Sequence, residues 1–441
     1  MTTTESLRLR LFPDGTYQDK YGYLIIGGCN AIDLIKQYGS PLYVFDEYTL
    51  RAKCREFIKE FTRCYPDTLV TYASKAFLNK AMALLIKEEG LGLDIVSGGE
   101  LFVAQSVGFS PELIYFHGNN KTPAELKMAM QSGVGRIVID NDFEIETANR
   151  IAGEMNVKQN VMLRINPGID PHTHKYTSTS IPDSKFGFPV GNGHARRAIE
   201  ATLAAPNLTL TGLHMHLGSP IAELEPYEIA VDIVMKLAAE ANKQHGYEMD
   251  EFAAGGGFAV AYTTGAKIPR ITDYAQCITD RINACVKNLG LKSPKLSIEP
   301  GRAIAGPSCV ALYTAGAIKD IPGIRHYVSV DGGMGDNIRT ALYEAQYEAV
   351  IANKLGEANT EKITISGRFC ESGDLLIKDI MLPRVFPGDI IAIPVCGAYC
   401  IPMSSNYNMV PRPAIVMVSK ATSRIIRARE TYDDLMRLDS L

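Results

Sequence analysis

The stretch TLVTYASKAF, residues 68–77, decides how the rest of the chain is read. Its opening, Thr68-Leu69-Val70-Thr71-Tyr72, is an apolar, β-branched run with the composition of a buried strand. Lys75 comes just past it, crowded by Ala73, Ser74 and Ala76. A lysine at the end of a buried strand either reaches out to water or stands there to react.

Outward from this stretch the same unit recurs. Short apolar runs lie at 69–74, 93–96, 113–116, 136–140, 161–165, 210–215, 252–254 and 296–299. Between them run amphipathic stretches at 80–89, 100–107, 124–131, 142–154, 195–204, 225–242 and 274–289, with a further helix-spaced segment at 50–64 ahead of the first run. Eight strands alternating with helices over roughly 230 residues is the pattern of a (β/α)8 TIM barrel. A doubly wound sheet is the alternative, but it commonly has fewer strands, and GxGxxG does not follow the first run. After about residue 305 the rhythm changes to β-rich runs split by Gly, Pro and Asp turns: CVALYTAGAI, HYVSVDGG, EKITISGRFC, DIIAIPVCGAYC and AIVMVSK. YGYLIIGGCN and PLYVFD, ahead of the barrel, also read as strands. The expected organisation is an α/β barrel over 42–305, with 1–41 and 306–441 forming an antiparallel β domain of sandwich or barrel type that takes in the N-terminal strands.

Composition narrows the class. The chain has 441 residues, 46% of them hydrophobic, with a formal net charge of −4. No basic block stands out and no run of about 18 apolar residues occurs, so neither nucleic acid nor a membrane is the expected partner. No signal-type leader is seen, and the expected location is the cytoplasm. The nine cysteines are irregularly spaced without a CxxC pair, which indicates neither a disulfide framework nor a zinc site.

Chemistry in a barrel collects at the carboxyl ends of the strands. Those ends supply Lys75; Asp94 and Ser97; His117 and Asn119; Asp140; Arg164 and Asn166; His214, His216 and Ser219; Gly255-Gly256-Gly257; and Glu299, Gly301 and Arg302. Three of them suit one ligand. Bare N–H groups of a glycine triplet cradle a phosphate. Arg302 adds charge-assisted hydrogen bonds to a phosphate or carboxylate. A lysine in a pocket that lowers its pKa forms an imine with an aldehyde. An aldehyde that also carries a phosphate is pyridoxal 5'-phosphate, and Glu299 opposite its pyridine nitrogen would keep the ring protonated.

In this order, YASKAF, HLGS, GGG, EPGR, CESGD and GAY, spread from Lys75 to Tyr399, resemble the barrel-type pyridoxal-phosphate decarboxylases. That family includes ornithine and diaminopimelate decarboxylases, with alanine racemase more distant. The resemblance spans nearly the whole chain. VDGGMGDNIRTALY (330–343), GAYCIPMSSNYNMVPRP (397–413) and PHTHKYTSTSIPDSKFGF (171–188) look most like the diaminopimelate branch. It implies that Lys75 is the Schiff-base lysine, that His216 stacks on the cofactor ring, and that Ser219 with Gly255, Gly256 and Gly257 binds its phosphate. It implies that Glu299 pairs with the ring nitrogen and that Arg302, Arg339 and Tyr343 hold a distal carboxylate of the substrate. It further implies that Cys370 donates a proton, that Glu371 contacts a distal amino group, and that Tyr399 contacts cofactor phosphate and substrate. Cys370 and Glu371 would reach the site of a neighbouring subunit, making the active unit a homodimer with shared sites. Pro220, Gly335, Thr340 and Cys400 depart from the usual pattern, and none removes a catalytic group.

The residues agree with decarboxylation. An acidic group facing the ring nitrogen makes a strong electron sink, whereas a racemase of this fold sets an arginine there. Two arginines call for a second carboxylate, since an unpaired buried guanidinium is costly. Glu371 calls for a distal ammonium. Both groups occur on meso-2,6-diaminopimelate, which loses CO2 to give L-lysine, the last step of lysine biosynthesis. D-ornithine, D-lysine or carboxynorspermidine are alternative substrates, and a racemase or a regulator that only binds the cofactor are alternative roles. The polar stretch 172–187 reads as a lid over bound substrate. His172 and His174 within it make a weak metal pair, and no metal is expected.

Overall fold

In a computed structural model the described residues are 9–169 and 183–441. They form two compact units: one made of the described residues within 53–259 and 268–301, the other of 9–52, 260–267 and 302–441.

The first unit is the barrel. Its strands are β1 (Thr68–Ala73), β2 (Gly92–Ile95), β3 (Ile114–Phe116), β4 (Arg136–Ile139), β5 (Gln159–Asn166), β6 (Leu208–Met215), β7 (Glu251–Ala253) and β8 (Lys295–Ile298). Every neighbouring pair is parallel, and the ring closes where β8 meets β1, with Leu296 opposite Thr68. Each strand lies within two residues of its expected position, because strands covered on both faces read as unbroken apolar runs. Tyr115, Val138, Met162 and Ala253 pack together inside, with Leu69 against them.

The βα loops stop where their sequence dictates. The four helices after β1 to β4 are each capped by a short polar side chain. Asn79 accepts from Met82 N, Ser97 from Glu100 N, Thr122 from Glu125 N and Asn141 from Glu144 N. Thr122 and Glu125 complete a capping box. Beyond β3 and β4 the loops are locked by a buried ion pair. Lys121 Nζ lies 2.9 Å from Glu144 Oε2 and donates to the carbonyls of Gly118 and Val138, each at 2.7 Å. Glu144 in turn accepts from the backbone N–H groups of Lys121 and Asp140.

The second unit is β-rich. Its long sheet runs Leu375–Leu382, Glu361–Ser366, Arg325–Val330, Cys309–Ile321, Leu42–Asp46, Ala414–Ser419, Thr422–Arg427, with Ile390–Ile393 also paired to Cys309–Ile321. Strands Tyr17–Gln18, Leu24–Ile26 and Cys29–Asn30 form a small sheet of their own. The core joins Leu24 and Ile26 to Leu42, Val44, Val310, Leu312, Ala414 and Val416. The expected antiparallel character holds for most pairs, but the sheet is mixed. Leu42–Asp46 runs parallel to Ala414–Ser419, and Arg325–Val330 parallel to Glu361–Ser366. Partners so far apart in sequence are not joined by a hairpin, so no tight turn forces them antiparallel. Leu42–Asp46, placed by sequence at the start of the barrel range, is a central strand of this sheet.

Candidate active site

Within the barrel unit the polar strand ends converge. Lys75 sits in a single 3-10 turn, Ser74–Ala76, directly after β1, exposed between two buried neighbours. The turn is close-packed: a Cβ on Gly301 would come 2.9 Å from Ala73 Cβ and 3.0 Å from Ala76 Cβ.

After β8, Glu299 is buried between two histidines. His214 Nε2, from β6, lies 3.1 Å from Glu299 Oε2, and His117 Nε2, after β3, lies 3.3 Å from Oε1. The two imidazoles meet at 66° with centroids 4.8 Å apart. Burial works against ionising Glu299, but His214 and then His117 outweigh it and hold the carboxyl well below the usual carboxylate range. Asp94, at the end of β2, is 3.7 Å from His117 Nε2. Burial pushes the Asp94 carboxyl up to about 6, with His117 pulling it down and Glu299 pushing it up.

His216, two residues beyond His214, is also buried, and its Nδ1 accepts from the Gly256 N–H at 3.2 Å. Burial first, then the charges of Lys75 and Arg164, holds its pKa well below the ordinary histidine value, so the ring is neutral. Gly255, Gly256 and Gly257 follow β7 where no side chain fits. A Cβ would lie 2.3 Å from Met215 O at Gly255, 2.3 Å from Glu299 O at Gly256 and 2.6 Å from Gly218 O at Gly257. Ser219 is half-buried. Arg164 lies over the Phe186 ring at 4.5 Å and 3.8 Å from Asp140 Oδ2, and Asp140 Oδ1 accepts from the Gly187 N–H at 2.9 Å.

These residues fit pyridoxal phosphate. Among the described residues the buried Glu299 Oε1 meets only the His117 imidazole, at 3.3 Å and without hydrogen-bond alignment, and the group is held ionised, which suits a protonated pyridine nitrogen. The side-chain-free triplet suits a phosphate, and the amine of Lys75 suits an aldehyde. Sequence had marked His117 and His214 as strand-end groups without seeing that both flank Glu299. The His-x-His spacing of 214 and 216 was the available signal, since alternate residues of a strand share a face.

The β unit holds the other expected residues. Arg339 is buried, its guanidinium donating to the Tyr347 hydroxyl and lying 4.5 Å from the Tyr262 ring centroid. Arg302 Nη1 donates to the Tyr262 hydroxyl at 2.9 Å, and its guanidinium lies 4.7 Å over the Tyr399 ring. Tyr343 is half-buried, its hydroxyl 4.0 Å from Met403 Sδ. Cys370 and Glu371 are exposed on a tight turn gathered by Asp374, which accepts from the N–H groups of Phe369 and Met334. Asn408 Oδ1 accepts from the Cys370 N–H at 3.1 Å. Tyr262 and Tyr347 were not marked by sequence, and neither lies in a recognisable motif. Of the stretch read as a lid, 172–182, with His172 and His174, lies outside the described residues. Among those described, no helix is long and apolar enough to cross a membrane.

The family model for "Pyridoxal-dependent decarboxylase, pyridoxal binding domain" matches residues 49–306. A diaminopimelate decarboxylase of Bacillus subtilis is 43% identical over 430 residues, covering 97% of this chain and 98% of the relative. The crystal structure of diaminopimelate decarboxylase from M. jannaschii with L-lysine superposes with a TM-score of 0.91 at 33% identity, covering 97% of this chain and 98% of that one. The Helicobacter pylori enzyme complexed with L-lysine gives 0.82 at 30% identity, over 92% and 98%. The carboxylate held ionised, the glycine cradle and the lysine after β1 thus occur in a sequence matched along nearly its whole length, and the chain belongs to the diaminopimelate decarboxylase family of pyridoxal-dependent decarboxylases.

Proposed function

We propose that this chain converts meso-2,6-diaminopimelate to L-lysine and CO2, closing lysine biosynthesis. The names of its relatives support the reading, two of whose structures contain L-lysine. The observation that carries it is Arg339, a buried guanidinium with no carboxylate partner among the described residues. A buried charge is retained at such cost when a ligand of opposite sign completes it. A diamino-dicarboxylate brings that second carboxylate, and ornithine and lysine do not.

Bound pyridoxal phosphate supplies an electron-poor ring that spreads the charge left on the α-carbon when CO2 departs. In this reading Lys75 Nζ holds the cofactor covalently between turnovers. Glu299, kept anionic by His214 and His117, retains the proton on the ring nitrogen. Neutral His216 offers a flat face to the ring. The N–H groups of Gly255, Gly256 and Gly257 take the phosphate with Ser219, Arg302 and Tyr399. Arg302, Arg339 and Tyr343 orient the substrate by its far carboxylate, and Glu371 by its far ammonium. Cys370 Sγ returns a proton to the α-carbon. Cys370 and Glu371 stand exposed on their own unit, which supports their serving a second copy in a homodimer with shared sites. The setting is the cytoplasm, where the amino-acid pool lies.

The test is CO2 release from meso-diaminopimelate, D-ornithine, D-lysine and carboxynorspermidine by the purified holoenzyme. The expected result is the highest kcat/KM for diaminopimelate; a higher value for any of the others overturns the substrate.

A further inference from the structure

Among the described residues Arg339 is held only by neutral groups. Its guanidinium donates to the Tyr347 hydroxyl and lies over the Tyr262 ring, and no hydrogen bond reaches its buried Nε among the described residues. The Tyr262 hydroxyl accepts from Arg302, so one aromatic side chain touches both arginines, one through its face and one through its oxygen. Tyr262 and Tyr347 meet edge-on at 82° with centroids 5.3 Å apart. Residues beside them are tied together as well: the Glu348 side chain, through Oε1, accepts from Thr264 N at 2.6 Å and from Thr264 Oγ1 at 2.9 Å. Cys400 Sγ backs the Tyr347 hydroxyl at 3.7 Å.

We propose that Tyr262 and Tyr347 are positioning residues that fix the spacing of Arg302 and Arg339 and thereby set the preference for a substrate with a second carboxylate. The inference rests on the substrate reading above and adds the residues that make it selective. A carboxylate partner would cancel the charge that the substrate needs. A phenol and an aromatic face orient a guanidinium and leave its charge whole. Burial keeps the Tyr347 hydroxyl well above the ordinary tyrosine pKa, so it stays a neutral acceptor. Two guanidiniums at a fixed separation form a fork for one carboxylate, and geometric fit gives such pairs their selectivity.

The experiment compares wild-type holoenzyme with Tyr347→Phe and Tyr262→Phe, both of which keep the ring and lose the oxygen. Inhibition constants are measured for pimelate, a seven-carbon dicarboxylate, and heptanoate, its monocarboxylate analogue, together with kcat and KM for diaminopimelate. Each variant should bind pimelate roughly ten-fold more weakly, the effect of losing a hydrogen bond to a charged group, with heptanoate unchanged. KM should rise by a similar factor while kcat stays within about two-fold. If wild type prefers pimelate and both variants keep that preference, the inference fails alone. If both variants lose pimelate and heptanoate equally, with a lower melting temperature, the tyrosines are structural and the inference fails. If wild type itself does not prefer pimelate, the substrate reading fails and takes the inference with it.

Discussion

His214 Nε2 stands 3.1 Å from Glu299 Oε2, both side chains buried, so the carboxylate at the end of β8 is held by an imidazole from β6. Removing His214 takes away the larger of the two favourable influences on Glu299, and the carboxyl pKa rises. His214→Phe should reduce kcat/KM about ten- to a hundred-fold, and Glu299→Gln by about a hundred-fold or more, as for other groups aimed at developing charge. The absorption of the bound cofactor should also become pH-dependent in a range where wild type is flat. Spectra of the holoenzymes between acid and neutral pH check this, and superimposable titrations of His214→Phe and wild type would count against the assignment.

Gly256→Ala places a methyl group 2.3 Å from Glu299 O, a backbone atom that cannot swing away. Overpacking of this kind costs about 1–3 kcal/mol, and here it also closes the cradle. Cofactor titration and thermal melting should show both a weaker cofactor affinity and a lower Tm.

Lys121→Met leaves Glu144 charged and buried, which should cost about 3–5 kcal/mol. The double variant Lys121→Met with Glu144→Gln removes both charges and should recover part of that. Urea unfolding of the three proteins separates the outcomes.

His216 gives a pH dependence of defined sign. Its folded pKa is depressed, by burial and then by the charges of Lys75 and Arg164, so below about 6.5 the unfolded chain binds a proton that the folded one refuses. Its share of the stability is therefore present above that pH and lost as pH falls. The urea midpoint of cofactor-free wild type should drop from pH 8 to pH 5.5 by more than that of His216→Phe; equal drops would remove the assignment.

Lys75→Ala and Cys370→Ala should each be inactive. Where sites are shared and subunits exchange freely, mixing them restores about a quarter of wild-type activity, because half the two-fold dimers then carry one intact site of two. Activity after mixing, with exchange confirmed by a labelled subunit, is the measurement, and none restored would argue for self-contained sites.

The barrel was legible because its strands are buried on both faces and the four helices after β1 to β4 each start at a polar cap. Lys75, Glu299 and the glycine triplet were legible for a related reason: strand ends are sequence landmarks, and the barrel brings them together. What depends on pairing over long separations was not. Nothing near Leu42–Asp46 says that it lies between Cys309–Ile321 and Ala414–Ser419. Nor does either tyrosine's neighbourhood say that Tyr262 and Tyr347 share Arg339, since aromatic residues of that kind fill cores everywhere.

That central strand has a consequence for how the protein is made. Leu42–Asp46 is wholly buried in the finished sheet, yet both of its neighbours belong to the last third of the chain. During synthesis it emerges early and waits, apolar and with both edges open, while the entire barrel unit is translated. Domains generally fold as they emerge, and unpaired strands are where nascent chains aggregate. The β unit cannot be completed until residues 414–419 have left the ribosome, so a truncation after the barrel would strand an aggregation-prone segment rather than release a smaller enzyme.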